Sequence, residues 1–433
     1  MKWLVLTVGG SPVPNVQSIE AHKPNRVVFL CSGPTESTKQ GSGVMVQGQG
    51  NVCKSGPKIK EPDLPSIPVQ AGLQPKQWKL SVFDIDADNL DDCYNKSRDA
   101  IVHIRKVDPK ADILADYTGG TKSMSAGLVS AALDDGHVRL VLVSGSRPNL
   151  DKVAVGITVT APVAEIVQRR AFSWARIFLS MRDYAAAALE LSHIEEATEN
   201  QAALFHGYSV CKAFDAWDRF EHQSAFDLLE AADTKGSYSQ YRATLRPIVK
   251  ALALKEDDHT TPLPVWKTKA GYLLASDILD NGKRRALRGQ YDDAIGRNYR
   301  ACELIAQTGL WMMFQVDAGN VSLDQVPDSI AWRETLTSEP ALGFLHSWEL
   351  LAARDNAMGQ LWSQWSGLVQ QAMRRRNYSL LAHGTDPVSK SDYEEDMATG
   401  MGGFAETALI LLAKQRTFNA KLRAPEFPTD FLD

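Results

Sequence analysis

The chain has 433 residues, 44% of them hydrophobic and 23% charged, with a formal net charge of −5. That length exceeds one ordinary core and sets the expectation of two or three domains, with the composition of a globular protein. The acidic balance excludes a bulk electrostatic nucleic-acid binder, so any RNA contact needs a local basic patch. Candidates are Lys283, Arg284, Arg285 and Arg288, and the triplet Arg374, Arg375 and Arg376.

Cys31, Cys53, Cys93, Cys211 and Cys302 are scattered and odd in number, without CxxC or Cys/His spacing. They point to free thiols in a reducing compartment and give no support for structural zinc. The apolar start Trp3 to Val8 is shorter than the apolar core of a secretory signal, which needs about 7 residues or more, and runs into Gly9-Gly10. No run approaches about 18 apolar residues, so no membrane span is expected. A cytoplasmic location is the expectation.

Residues 1 to 162 are expected to form an α/β domain. Short β-branched runs at Trp3–Val8, Arg26–Cys31, Ile113–Asp116, Val138–Ser144 and Val153–Thr158 suit buried parallel strands. Helical patterns at Leu90–Val107 and Ser123–Leu133 alternate with them, which implies an open, mostly parallel, Rossmann-like sheet. Residues 34–76, rich in Gly, Ser, Pro and Gln, interrupt this pattern as a long loop or insertion.

From residue 163 the chain reads as helical, with segments at Arg169–Leu179, Tyr184–Ala197 and Ala202–Trp217. Arg182 to Ala187 and Gly289 to Ala294 look alike: a turn, a Tyr, then small residues, resembling half of a tetratricopeptide hairpin. Two copies more than 100 residues apart make hairpin packing devices, not a solenoid. A linker is expected at Lys255–Pro264, closing a helical region over 163–264, and a second irregular stretch at Gln315–Pro340. The last helices are expected from Gly343 to His383 and from Phe404 to Leu422, within an all-α domain over 265–433.

Two glycine turns carry chemistry in the α/β domain. Thr7-Val8-Gly9-Gly10-Ser11 ends the first strand, and Asp116-Tyr117-Thr118-Gly119-Gly120-Thr121-Lys122-Ser123 ends a later strand and opens a helix. Ligands of open α/β sheets bind beyond the carboxyl ends of strands, and paired glycines at a helix N-terminus let amides approach an anion. The second turn is not a P-loop, because Thr121 separates Gly120 from Lys122, and no GxGxxG follows either strand. Two such turns together favour a phosphate-rich ligand.

The helical half offers a second constellation. Trp365, Val369, Ala372, Arg376, Leu380 and His383 fall at spacings of three and four, one stripe of a helix. Arg376 can hold a phosphate and His383 can move a proton near neutral pH. Gly384 and Asp386-Pro387 follow, which places His383 in the last helical turn, where the dipole favours imidazolium. Asn377 stands beside Arg376.

Arg376-Asn377 followed by His383 resembles the Arg-x(4–6)-His motif of HEPN ribonucleases. Thr7-Val8-Gly9-Gly10 with Asp116 to Lys122 resembles the nucleotide-sensing CARF domain. CARF followed by HEPN is the order in ancillary ribonucleases of type III CRISPR systems. The resemblance implies that cyclic oligoadenylate, with four or six adenylates, binds across a two-fold CARF dimer as an allosteric activator. Its contacts would be Thr7, Gly9, Gly10, Ser11, Ser32, Gly33, Thr118, Gly119, Gly120, Thr121 and Lys122. It further implies a homodimeric endoribonuclease of antiviral defence that cuts single-stranded RNA without a metal, using Arg376, Asn377 and His383. Arg300 and Glu303 resemble polar positions of an earlier HEPN helix, and also read as an i,i+3 salt bridge. A non-catalytic nucleotide sensor with a helical interaction scaffold is the alternative, and ring-nuclease activity in the CARF domain is a further possibility.

Overall fold

A computed structural model describes the chain apart from residues 35–40, 48–64, 147–154, 193, 195–200, 257–258, 336–340, 416–417 and 433. Most of the expected insertion, with Cys53, and the first residues of the strand expected at Val153 thus lie outside the described residues. The other four cysteines are free and buried. The chain divides into two compact units, Met1–Val167 and Gln168–Asp433.

The first unit is a six-stranded sheet: β1 (Lys2–Val8), β2 (Arg26–Ser32), β3 (Val82–Ile85), β4 (Asp112–Asp116), β5 (Val138–Ser146) and β6 (Val155–Thr160), in the order β3-β2-β1-β4-β5-β6. β1 to β5 are parallel and β6 joins antiparallel. Helices α1 (Val13–His22), α2 (Val44–Gln47), α3 (Ile67–Gln70), α4 (Leu90–Val107) and α5 (Lys122–Asp135) complete it. Alternate residues of each central strand serve opposite faces, as a period of two requires. Trp3, Val5, Val28, Leu30 and Ile113 pack with Ile101 and Ile104 of α4 and Leu128 of α5. Leu4, Leu6, Val27, Phe29 and Leu114 pack with Ile19 of α1. This is the open, mostly parallel sheet that alternating elements imply.

β3 and α1 are additions to the expected elements. α1 opens with Pro14 in its first turn, where a missing N–H costs nothing. β1 has β2 on one side and β4 on the other, so the strand order reverses between β1 and β4. Both glycine turns lie at the carboxyl ends of those two strands, the switch point where such sheets bind ligands.

The second unit is helical: α6 (Ala164–Ser180), α7 (Tyr184–Ser192), α8 (Gln201–Asp218), α9 (His222–Ala232), α10 (Ser239–Leu252), α11 (Ala270–Leu287), α12 (Tyr291–Phe314), α13 (Phe344–Arg354), α14 (Asn356–Asn377), α15 (Lys390–Thr399) and α16 (Met401–Lys414). One core gathers α6 to α10 around Phe214 and Trp217. Another surrounds Leu304, Trp348 and Phe404 of α12, α13 and α16. The two look-alike turns touch: Arg182 and Gly289 both have positive φ, and Arg288 Nη2 donates to the Arg182 carbonyl at 2.6 Å.

Three expectations are corrected. The helix expected over Gly343–His383 is two, because Asp355 adopts an extended φ of −121° and its carboxylate accepts the Met358 N–H at 2.8 Å, capping α14. α14 then ends at Asn377, so His383 lies beyond it and the dipole argument for its charge falls away. The basic cluster on α11 is internal: Arg284, 6% exposed, and Arg285 and Arg288 meet Asp218 at 2.8, 3.1 and 2.7 Å. Lys283 pairs with Asp280 and Glu406. That removes the cluster as an RNA patch. A helix expected at Phe404–Leu422 begins at Met401 and ends at Lys414, and α15 was not anticipated.

Candidate functional site: two glycine turns and an arginine–histidine loop

In the first unit the two turns interlock backbone on backbone. A Cβ on Gly119 would stand 2.3 Å from the Thr7 carbonyl oxygen, and one on Gly9 would stand 2.7 Å from the Gly120 nitrogen. Gly120 has a φ of +78°, left-handed backbone that glycine adopts without strain. Both glycines are therefore required by close approach.

The hydroxyls expected to face a ligand are engaged. Buried Thr7 Oγ1 donates to the Gly119 carbonyl at 2.7 Å, and the Thr7 carbonyl accepts from Asn15 Nδ2 at 3.0 Å. Thr118 Oγ1 accepts the Val143 N–H at 2.7 Å, and Thr121 Oγ1 donates to the Ala87 carbonyl and caps Met124 of α5. Ser32 and Ser42 exchange backbone and hydroxyl bonds at 2.8 Å, and the Gly33 N–H donates to the Ile85 carbonyl. Ser11 is partly exposed, and Gly10, Gly120 and Lys122 are exposed. What faces outward is thus a glycine-lined ledge with one ammonium at the N-terminus of α5, the half of the helix field that favours anions. Beneath it, burial pushes the Asp116 carboxyl above the usual range while its Oδ1 accepts the Thr118 N–H at 2.8 Å, fixing the start of the turn.

In the second unit α14 ends in Arg374, Arg375, Arg376 and Asn377, and each arginine has a different fate. Arg375 reaches Glu395 at 2.9 Å and Asp392 at 3.6 Å; the Glu395 bond raises its already high pKa. Arg376 instead lies over the Tyr299 ring of α12, its Cζ 4.6 Å from the centroid, with Nη1 donating to Asn377 Oδ1 at 3.2 Å. No carboxylate among the described residues pairs with it.

The chain then turns back on itself. The Asp386 N–H donates to the Tyr378 carbonyl at 3.2 Å, the Leu380 N–H returns to the Asp386 carbonyl at 3.2 Å, and Ser379 and Asp386 form an isolated bridge. A Cβ on Gly384 would fall 1.9 Å from the Tyr378 oxygen, so the reversal needs glycine there. The His383 N–H donates to the Asn377 carbonyl at 3.2 Å, tying the exposed imidazole's loop to the helix end that carries Arg376. Tyr378, Leu380 and Leu381 stand 68%, 62% and 64% exposed around it.

α12 holds this corner in place. Asn298 Nδ2 donates to Asp396 Oδ2 at 2.8 Å, and Asp396 also accepts the Met401 and Gly402 N–H groups at the start of α16. Burial pushes the Asp396 carboxyl up, opposed by those bonds. Arg300 pairs with Glu303 and Gln307, the i,i+3 bridge the spacing allows, one residue from the Tyr299 seat. Arg300 and Leu381 also line one open groove of about 490 Å³, with Arg297, Asp293 and Phe220. Tyr299 is the residue sequence reading missed. Its one signal is a repeat, Arg297-Asn298-Tyr299 on α12 echoing Arg376-Asn377-Tyr378 at the end of α14.

The family model described as the Csm6 HEPN domain matches residues 264–401, which span α11 to α15 and include Tyr299, Arg376 and His383. Residues 264–401 thus match a Csm6-type HEPN domain, about a third of the chain. The resemblance to type III CRISPR CARF–HEPN proteins therefore holds, with an α/β unit ahead of the HEPN helices. Among solved structures, Enterococcus italicus Csm6 bound to cyclic hexa-2′-fluoro-hexa-dAMP matches with a TM-score of 0.56 at 13% identity, covering 100% of this chain and 97% of that one. At that identity the match establishes the fold. No curated protein matches the sequence. Among the described residues no helix is long and apolar enough to cross a membrane, and no cluster of His, Cys, Asp and Glu could hold a metal.

Proposed function

We propose that this chain is a cyclic-oligoadenylate-activated endoribonuclease that cuts single-stranded RNA without a metal, in the cytoplasm, as part of antiviral defence. The observation that carries the reading is Arg376: a guanidinium with no carboxylate partner among the described residues, bonded to Asn377 and joined through its helix end to the loop of His383, inside a Csm6-type HEPN domain. The activator would sit on the glycine ledge with Lys122 toward its phosphates, as the bound nucleotide of the Enterococcus italicus neighbour suggests. Two copies would pair, bringing their HEPN corners into one composite cleft.

In the cleft the RNA 2′-hydroxyl attacks the adjacent phosphorus as the P–O5′ bond breaks, leaving a 2′,3′-cyclic phosphate and a 5′-hydroxyl. Arg376 stabilises the charge that develops on the phosphorane oxygens, Asn377 orients the phosphate and His383 carries a proton. The test compares the wild type with His383→Ala on labelled RNA, with cyclic tetra- or hexa-adenylate and a chelator present. The variant is expected to lose about 10²- to 10⁴-fold in rate. Equal cutting by the two proteins refutes the assignment.

A further inference from the structure

Three consecutive arginines end α14, and only Arg376 rests on an aromatic ring. Its neighbour Arg375 shows the other way of fixing a guanidinium, against Glu395 and Asp392. The two solutions differ in one respect that matters for anion binding. A carboxylate holds the cation by neutralising it, and then competes with any incoming phosphate. A ring face holds it through a quadrupole, which leaves the full charge and the in-plane N–H edge available. Of the five guanidinium donors, Arg376 commits one to Asn377.

The seat itself is rigid. Tyr299 stacks on Phe344, the first residue of α13, at 5.1 Å and 24° between planes, and Phe344 is buried. Asn298, next to Tyr299, is locked to Asp396 on α15. The ring is therefore clamped between α12 and α13 before any ligand arrives.

We propose that Tyr299 is a positioning residue that seats Arg376 for the scissile phosphate without neutralising it. The proposal rests on the ribonuclease reading for its kinetics but on geometry alone for the seat. Its signature is that the aromatic face matters and the hydroxyl does not. Tyr299→Phe and Tyr299→Trp are expected to keep kcat within about twofold. Tyr299→Leu, which fills space without a π face, is expected to lower kcat by about 5- to 30-fold with KM within about twofold. In an Arg376→Ala background, Tyr299→Leu should cause no further loss, because the group it seats is gone.

The experiment measures single-turnover and steady-state cleavage of a labelled RNA by the full chain with saturating activator, with melting temperatures checked for each variant. A second readout needs no activity: the Arg376 Nε–Hε resonance should be shifted by the ring current in the wild type and Tyr299→Phe, and should move toward its exposed value in Tyr299→Leu. Should Tyr299→Leu fail to fold, Tyr299→Met replaces it with a flexible apolar side chain. Equal kcat for the Leu and Phe variants, or an Arg376 resonance indifferent to the ring, overturns the proposal. Loss of the ribonuclease reading itself would appear as an active His383→Ala, which leaves the resonance test standing.

Discussion

Replacing Gly119 by alanine tests the interlocked turns most directly. The added methyl would lie 2.3 Å from the Thr7 carbonyl oxygen, about 1 Å short of ordinary contact. That oxygen belongs to the backbone of β1, which is paired into the sheet, and accepts from Asn15 Nδ2, so it cannot rotate aside as a side-chain atom would. Overpacking of this kind costs about 1–3 kcal/mol, and loosening the Thr7 hydroxyl bond to Gly119 adds about 1 kcal/mol. The cheapest relief moves the 117–121 turn outward, which displaces the ledge that is proposed to meet the activator. We expect Gly119→Ala to lower Tm by about 5–10 °C and to weaken cyclic oligoadenylate at least tenfold, read by calorimetry against both the tetra- and hexa-adenylate rings. Gly136→Ala is the control: its φ is +76°, unlike that of Gly119, and nothing lies within 4 Å of its Cβ, so it should cost stability through the backbone alone and leave affinity unchanged. Wild-type affinity and Tm in Gly119→Ala would show that the turns are not interlocked as described.

Lys122→Ala should weaken the activator by about 5- to 20-fold, and the remaining binding should fall less steeply with salt, because one ammonium–phosphate contact is gone. A salt slope equal to wild type argues against Lys122 as a contact. Asp218→Asn should destabilise the helical unit by about 3–5 kcal/mol, since it leaves Arg284, Arg285 and Arg288 without their shared counter-charge. Burial alone would raise the Asp218 carboxyl, but the three guanidiniums outweigh it and hold it below the usual range. A depressed folded pKa stabilises fully above the unfolded value near about 3.9 and loses its effect as pH falls through the lower, folded value. The Tm gap between wild type and Asp218→Asn should therefore hold from pH 8 to about 5, begin to narrow below about 4 and close only as pH falls through the lower, folded value. A gap that persists undiminished at pH 3 would place the stabilisation elsewhere.

The parts of this fold that a single sequence reveals are those whose cause is local. β1, β2 and β4 announce themselves because both faces are buried along most of their length, so their runs are almost continuously apolar, while β5 shows through its buried Val138, Leu140, Val141 and Val143 despite the exposed Arg139. β3 sits at the sheet edge with Asp84 exposed, and its four residues lack that mark. α1 hides behind Pro12 and Pro14, which read as a turn until the helix is seen to begin there. The end of α14 misleads for a different reason. Leu380 and Leu381 continue the helical period, yet their apolar surface faces outward, and the reversal that stops the helix depends on Gly384 meeting the Tyr378 carbonyl six residues away. Charge shows the same divide. Arg284, Arg285 and Arg288 look like a surface patch because the carboxylate that engages them, Asp218, enters from α8, 66 residues earlier than Arg284. Arg376 and His383 are legible as a pair by spacing, whereas the face that would make Arg376 useful, Tyr299, arrives from another helix and carries no charge to betray it. Long-range partners therefore decide which cations are structural and which are free. The same logic separates Arg375 from Arg376, adjacent in sequence: one meets carboxylates and is held as a strut, and the other meets a ring that leaves its charge without a neutralising partner among the described residues.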